Sequence, residues 1–275
     1  MFQELQPIEI KSPDLEKISI CDMALVSKQR LLLCDYFNEL VLLANNKGEV
    51  VSYIHVIGGV CGICMVQDDK AAVALAAAKK VQYVTVKEDR LTPIKSMKTS
   101  GVIVSLCAVN DTLAVLYLHP PAVEIISLEG NLINRIDNKI AEREILKFPR
   151  YLMVSPDYQH IFVTDGGTNT VIMLNTKLQL LKTFSYPNLL KLPYGITMLD
   201  NNQLLITSQD GNTINHLEID AKSKWRWRMA AILDGKDGMD RPSALAFCHR
   251  SNILYIANDT PYIKQYIHQN EHRQQ

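Results

Sequence analysis

Two short segments carry residue types and spacings that could do chemistry. Cys61 and Cys64 form a CxxC pair, and the segment 161–174, IFVTDGGTNTVIML, places an acid and two glycines between apolar runs. A zinc site would need a second ligand pair, and no second cysteine pair follows at a suitable spacing. A redox pair needs a helix start to lower the thiol pKa, whereas Cys64 lies in a strand-like run. We therefore interpret both cysteines as core residues.

The glycines of segment 161–174 are typical either of a phosphate-binding loop or of a hairpin. A phosphate loop would have to open a helix, because the helix N-terminus supplies the N–H groups that hold the phosphate. Here an apolar, strand-like run follows Thr170. We therefore predict a hairpin bend in which Gly166 and Gly167 supply the permissive backbone.

No constellation of catalytic residues is evident in the sequence. The seven histidines are scattered, no two of them share a metal-ligand spacing on one element, and no Gly-x-Ser-x-Gly segment occurs. We therefore predict a protein that is not an enzyme, with no catalytic residue, no metal site and no cofactor.

Composition restricts the classes of partner. The chain has 275 residues, of which 47% are hydrophobic, and its 29 basic and 29 acidic residues give zero formal net charge. A global attraction to nucleic acid or to a membrane is therefore not expected, although a local patch could remain. The N-terminus lacks the features of a signal peptide, and the longest apolar run, 71–78, is too short to span a bilayer. We expect a cytoplasmic protein with reduced cysteines and no membrane partner.

A strand–turn–strand unit recurs six times along the chain. The first strand of each pair ends at Asp35, Ala76, Tyr117, Asp165, Ser208 and Asn258, at spacings of 41 to 50 residues. Each unit has an apolar strand upstream, and the first five also have one downstream. This period predicts an all-β fold, a six-bladed β-propeller of four-stranded antiparallel blades. The last unit lacks its fourth strand, so we predict that the N-terminal strand 6–11 completes it and closes the ring.

The repeat assigns residues 1–275 to a single propeller. The predicted blades are 15–57, 58–101, 102–147, 148–191, 192–240 and 241–270, the last completed by 6–11.

Several of these units resemble NHL repeats, which begin with Pro-x-Gly-Ile before an apolar strand. Pro193, Gly195 and Ile196 match this start, whereas the units at Pro149 and Pro242 keep only the proline. The N-terminal unit, 18–43, is similar to the C-terminal propellers of tripartite-motif (TRIM-NHL) proteins. The resemblance implies a recognition module that binds a protein or RNA, with substrate recruitment in a ubiquitin-ligase-type system as one setting. It does not extend to ligase activity, because no RING, B-box or coiled-coil pattern accompanies it.

A second resemblance keeps an enzymatic alternative open. The segment 155–165, SPDYQHIFVTD, is similar to calcium-dependent lactonases of the senescence-marker type, which are also six-bladed propellers. Their chemistry needs Glu, Asn and Asp at the ends of inner strands to hold a hard cation. Only Asp22 lies close to such a position. A metal-dependent, lactonase-like hydrolase is therefore an alternative, without an evident ligand set.

We predict the binding site on one face of the propeller. This loop face consists of the loops between the second and third strands of each blade and the loops that enter the inner strands. It contains Tyr36, Phe37, Lys79, Lys80, His119, Lys147, Arg150, Lys191, Tyr194, Arg241 and Tyr262, with Asp210, Asp240 and Asp259 nearby. This mildly basic, partly aromatic mixture favours a protein partner. One alternative is single-stranded RNA, bound by stacking and phosphate contacts. The other is that these loops are polar only because they face solvent and bind no partner.

A secondary patch is predicted at Trp225, Arg226, Trp227 and Arg228. On a strand the tryptophans would point to one side and the arginines to the other. The tryptophans could then cover the edge of a blade, or the run could form a side surface for RNA or an acidic partner.

Overall fold

Six four-stranded antiparallel sheets are arranged as the blades of a ring in the computed structural model. The structure describes residues 1–12, 15, 17–27, 30–140, 142–220, 222, 226–258 and 260–269. In each blade the strands follow one another in chain order from the axis outward, except that the outermost strand of the last blade comes from the N-terminus. The predicted all-β, six-bladed propeller is confirmed.

The strand bounds are as follows. The chain begins with β1 (Phe2–Glu9), the outer strand of blade 6. Blade 1 has β2 (Ile20–Val26), β3 (Arg30–Asp35), β4 (Leu40–Ala44) and β5 (Val50–His55), and blade 2 has β6 (Val60–Gln67), β7 (Lys70–Leu75), β8 (Lys80–Lys87) and β9 (Arg90–Lys98). Blade 3 has β10 (Val102–Val109), β11 (Thr112–His119), β12 (Pro121–Ser127) and β13 (Leu132–Asp137), and a short hairpin of β14 (Lys139–Ile140) and β15 (Arg143–Glu144) follows it.

The second half of the chain repeats the arrangement. Blade 4 has β16 (Pro149–Val154), β17 (His160–Asp165), β18 (Thr170–Asn175) and β19 (Leu180–Ser185), and blade 5 has β20 (Pro193–Asp200), β21 (Gln203–Ser208), β22 (Thr213–Asp220) and β23 (Arg226–Leu233). A 3-10 turn at Gly235–Asp237 precedes blade 6, which has β24 (Leu245–Cys248), β25 (Ile253–Ile256) and β26 (Tyr262–His268).

The N-terminal strand closes the ring, with bounds that differ from the prediction. β1 pairs with β26 from Phe2 opposite His268 to Glu9 opposite Tyr262, so the strand spans Phe2–Glu9 rather than 6–11. The early residues, Gln3 to Gln6, are mostly exposed, because an outermost strand has little of the ring to pack against. Their polar character therefore hid the start of the strand from a search for apolar alternation.

The hydrophobic core lies between neighbouring blades. The described residues form six clusters, and each cluster joins two adjacent blades. The cluster between blades 6 and 1, for example, includes Ala244 and Tyr255 from one side and Leu33 and Leu42 from the other. The neighbouring blades cover both faces of β3 and β4, so every residue of these two strands is buried. In the outer strand β5, exposure alternates from residue to residue. Six blades joined at six interfaces form a closed ring.

Candidate partner-binding face

All eleven residues of the predicted site lie at the same end of the blade strands. They occupy the ends of the second strands, the turns that follow, the first residues of the third strands, or the approach to and start of the inner strands: Tyr36, Phe37, Lys79, Lys80, His119, Lys147, Arg150, Lys191, Tyr194, Arg241 and Tyr262. The antiparallel order of each blade therefore places them on the loop face. Of the acids expected nearby, Asp259 lies outside the described residues.

Asp165 shows how a turn on this face is held. Its buried carboxylate accepts N–H bonds from Lys147 and Phe148 at 2.8 and 3.0 Å and from Gly167 and Thr168 at 2.9 and 2.8 Å. The carboxylate thus joins the turn between β17 and β18 to the loop that enters the same blade. The segment 161–174 is therefore a hairpin, as predicted, with a carboxylate clasp. The prediction that Gly166 and Gly167 supply its permissive backbone is wrong: the residue of this turn with a positive φ is Asn169, at 54°. An asparagine tolerates this left-handed conformation better than most residues other than glycine.

The turn between β3 and β4 uses the same device and presents two aromatic side chains. Asp35 Oδ1 accepts N–H bonds from Ser19 and Phe37, both at 3.1 Å. Tyr36 and Phe37 at the tip are 59% and 61% exposed. The ammonium of Lys17 lies 4.3 Å from the centroid of the Phe37 ring. Large apolar side chains are therefore held in solvent on a preorganised turn, as is typical of recognition surfaces.

Arg150 is the second residue of β16, at the loop-face end of that inner strand. Its guanidinium carbon is 4.0 Å from the ring centroid of Phe148 and 5.5 Å from that of Tyr194, which belongs to the next blade. Both contacts are of the cation–π type. Burial lowers the pKa of the Arg150 guanidinium, and it raises the pKa of the Tyr194 phenol. The sequence singled out Arg150 and Tyr194 separately, and the structure brings them together.

Arg241 and Tyr262 already have partners on the protein. Arg241 Nη1 lies 3.0 Å from Asp210 Oδ1, and the Tyr262 hydroxyl lies 3.2 Å from Glu9 Oε1. Arg241 is therefore a neutralised cation rather than a free one. Lys79, Lys147, Lys191 and His119 are exposed, and Lys80 is half-buried.

Sequence reasoning missed three residues of this face. Phe148 supplies the closer ring beneath Arg150, Lys17 contacts Phe37, and Ile57 in the loop before β6 is 82% exposed. Phe148 looked like an ordinary apolar residue before Pro149. Its position on an inner-strand entry loop was the available signal.

The secondary patch covers the edge of blade 5. Trp227 in β23 is half-buried, and its ring lies 5.7 Å from Phe184 and 5.8 Å from Tyr186, measured between centroids. Arg226 and Arg228 are exposed on the other side, and Arg228 Nη2 pairs with Glu218 at 2.5 Å. The predicted alternation is therefore observed for these three residues, whereas Trp225 lies outside the described residues.

Asp22 is the one charged group at the axis that the sequence had marked. It is 1% exposed and accepts hydrogen bonds from the Tyr151 hydroxyl at 2.7 Å and from the N–H groups of Ile63 and Met23, both at 2.8 Å. It therefore links blades 1, 2 and 4. Burial raises its pKa from 3.8 to about 7, although the three hydrogen bonds oppose that rise.

The CxxC cysteines lie in the inner strand β6. Cys64 is buried and Cys61 is half-buried, and the Cys61 thiol lies 3.3 Å from the carbonyl oxygen of Ile103. Burial raises the pKa of both thiols, so they stay protonated at neutral pH. In the described part of the chain, no three His, Cys, Asp or Glu side chains lie close enough together to hold a metal ion.

The central channel opens on the face opposite the loop face. Its cavity of about 400 Å³ is lined mainly by apolar side chains from the second halves of the inner strands, including Met23, Met65, Leu106 and Phe247. Tyr151 forms part of its wall, next to Asp22. Across the described residues, the structure contains no helix with the length and apolar composition needed to cross a membrane.

A ring of six four-stranded blades defines the class as a six-bladed β-propeller, and solved structures share this fold. Virginiamycin B lyase from Staphylococcus aureus superposes with a TM-score of 0.71 at 11% identity, covering 98% of this chain and 100% of that one. Hydrazine synthase from Kuenenia stuttgartiensis gives 0.67 at 12% identity over 90% and 75% of the two chains. A functionally unknown protein from Desulfotomaculum acetoxidans gives 0.62 at 12% identity over 82% and 71%.

No protein-family model matches the sequence, and no curated protein matches it. At 11–12% identity the structural likeness shows the fold alone.

Proposed function

We propose that this propeller is a non-catalytic recognition module that binds a protein partner across its loop face. The observation that carries the proposal is the turn at Tyr36 and Phe37, where two large aromatic side chains stay more than half exposed. Aromatic residues are enriched among the side chains that dominate binding energy at protein interfaces. The Asp35 clasp holds this turn before binding, which reduces the entropy lost when a partner docks.

The proposal retains the resemblance to NHL propellers of the tripartite-motif type. On that resemblance, the loop face would recruit a protein to a ubiquitin-ligase-type system in the cytoplasm. The Pro193-x-Gly195 start of blade 5 supports it physically. Gly195 N–H donates to the carbonyl of Ser243 at 3.0 Å, and a Cβ at Gly195 would lie 2.2 Å from that oxygen. A glycine at this position lets the inner strands of two blades approach closely.

Single-stranded RNA is the second candidate, favoured by the cation–π stack of Arg150 and by the exposed lysines near it. Non-specific RNA binding needs several unneutralised cations, because affinity comes from phosphate contacts. Arg241, which the same surface would use, is paired with Asp210, and the chain as a whole carries zero formal net charge. For this reason we rank a protein partner above RNA. The hydrolase alternative would centre on Asp22, whose oxygens are engaged by three donors.

Site-specific photo-crosslinking tests the proposal. A benzophenone amino acid replaces Phe37 in one variant and Ile133 in a control variant; Ile133 is 58% exposed on the outer strand β13. We expect a protease-sensitive adduct from position 37 in cells and none at position 133. An RNase-sensitive adduct from position 37 would favour RNA. Equal labelling at both positions would contradict the assignment of the loop face.

A further inference from the structure

Arg150 holds a charge that forms no ion pair in the described part of the protein. Its Nε is buried without a hydrogen-bond partner, and no ion pair to this side chain is found among the described residues. An arginine side chain stays protonated in proteins and carries five N–H donors. A buried donor without a partner costs free energy, so natural structures rarely leave one unpaired.

The acids closest to Arg150 are engaged elsewhere. The carboxylate of Asp165 accepts four backbone N–H bonds, and Asp210 pairs with Arg241. They raise the pKa of Arg150 only weakly against the larger effect of burial. The guanidinium therefore remains available to an anion that comes from outside.

The surroundings of Arg150 limit the shape of that anion. The rings of Phe148 and Tyr194 lie against the guanidinium of Arg150. Only the edge of the guanidinium plane, which carries the N–H groups, therefore remains for a ligand. A planar fork matches a carboxylate through two parallel N–H bonds. Gly166 borders this site, since a Cβ there would lie 3.5 Å from Nε, at ordinary contact distance.

A carboxylate from a protein fits these observations better than a nucleic-acid strand. One unpaired guanidinium with aromatic walls suits a single acidic side chain, whereas the zero formal net charge of the chain gives no broad basic field for a strand. The exposed pair Tyr36 and Phe37 supplies apolar contact elsewhere on the same face.

We propose that Arg150 is the anchor for an Asp or Glu side chain of an acidic peptide segment in the partner. This inference rests on the proposed protein-binding function and specifies the chemistry of its partner.

A displayed library of random 12-residue peptides tests the inference. The library is panned on the wild-type protein, and enriched peptides are synthesised with a fluorescent label for polarisation measurements. We expect the enriched peptides to share an Asp or Glu. Arg150→Gln should weaken binding at least tenfold, and so should replacement of the peptide's acid by its amide. Combining Arg150→Gln with the amide version of the peptide should weaken binding no more than either change alone.

Two variants serve as controls. Arg90→Gln changes an exposed cation at the start of β9, at the end of blade 2 opposite the loop face, and we expect a change in affinity of less than threefold. Arg150→Lys keeps the charge and loses the fork, and we expect it to lose most of the affinity. Thermal melting of each variant establishes that it is folded.

The outcomes separate this inference from the proposed function. Peptides without acids, bound equally by Arg150→Gln but lost in Phe37→Ala, would overturn the role of Arg150 and leave protein binding intact. A library with no peptide that depends on either residue would contradict both. Arg150-dependent binding of a 12-nucleotide uridine strand that falls steeply with salt would replace the acidic peptide by RNA. Tighter binding of a phosphoserine version of a peptide would replace the carboxylate by phosphate.

Discussion

Replacing Asp22 by Asn should remove most of one pH-dependent contribution to stability. Burial raises the pKa of Asp22 from 3.8 to about 7 and outweighs the hydrogen bonds from Tyr151, Ile63 and Met23. A tenfold change in a proton-binding constant is worth about 1.4 kcal/mol. The change at Asp22 is about a thousandfold, so it corresponds to about 4 kcal/mol of unfolding free energy. Since Asp22 is 1% exposed, solvent screening reduces this figure little.

The sign follows from which state binds the proton more tightly. The folded protein holds the Asp22 proton up to about pH 7, whereas the unfolded chain loses it near pH 4. This contribution is therefore complete below about pH 4 and is lost as the pH rises through 7. The half-buried His160, His216 and His268 act in the opposite direction, because burial lowers their pKa. The comparison with Asp22→Asn cancels the histidines.

Urea unfolding of both proteins between pH 5 and pH 8.5 measures this difference. We expect wild type to lose about 2–3 kcal/mol relative to Asp22→Asn across that range. Tyr151→Phe is the matched variant. It removes one bond that lowers the pKa of Asp22, so the loss should extend to higher pH. If the difference in unfolding free energy between wild type and Asp22→Asn does not change with pH, the argument that burial dominates is refuted. If it changes in the opposite direction, the three hydrogen bonds have the larger effect on the pKa of Asp22.

Two further substitutions test the scaffold. Asp165→Ala leaves the N–H groups of Lys147 and Phe148 without their acceptor and should lower the unfolding free energy by about 3 kcal/mol in urea titrations. A decrease in unfolding free energy of less than about 1 kcal/mol would show that water replaces the carboxylate. Gly195→Ala brings a methyl group to 2.2 Å from the carbonyl oxygen of Ser243 and should cost about 1–3 kcal/mol in the same titration; an unchanged midpoint would mean that blades 5 and 6 separate without strain.

The blade pattern could be predicted from the sequence because it depends on near neighbours. Apolar runs such as Leu31–Leu33, their turns and their recurrence every 41 to 50 residues specify strands, hairpins and the number of blades. The hairpin of segment 161–174 could likewise be predicted, since a strand follows it, whereas its left-handed position, Asn169, was not. β1 was found only in part, because its exposed residues lack the apolar alternation of a buried strand.

The charge states and contacts at the site depended on the closed ring. Asp22 and Tyr151 are 129 residues apart, and Arg150 meets the ring of Tyr194 only because two blades adjoin. The sequence treated Arg150 and Arg241 as equivalent cations, whereas the fold leaves one unpaired and neutralises the other with Asp210. Local hydrophobic order determines the strands. Which buried group finds a partner is decided only when distant strands pack together, since desolvation and pairing act over a few ångströms in space.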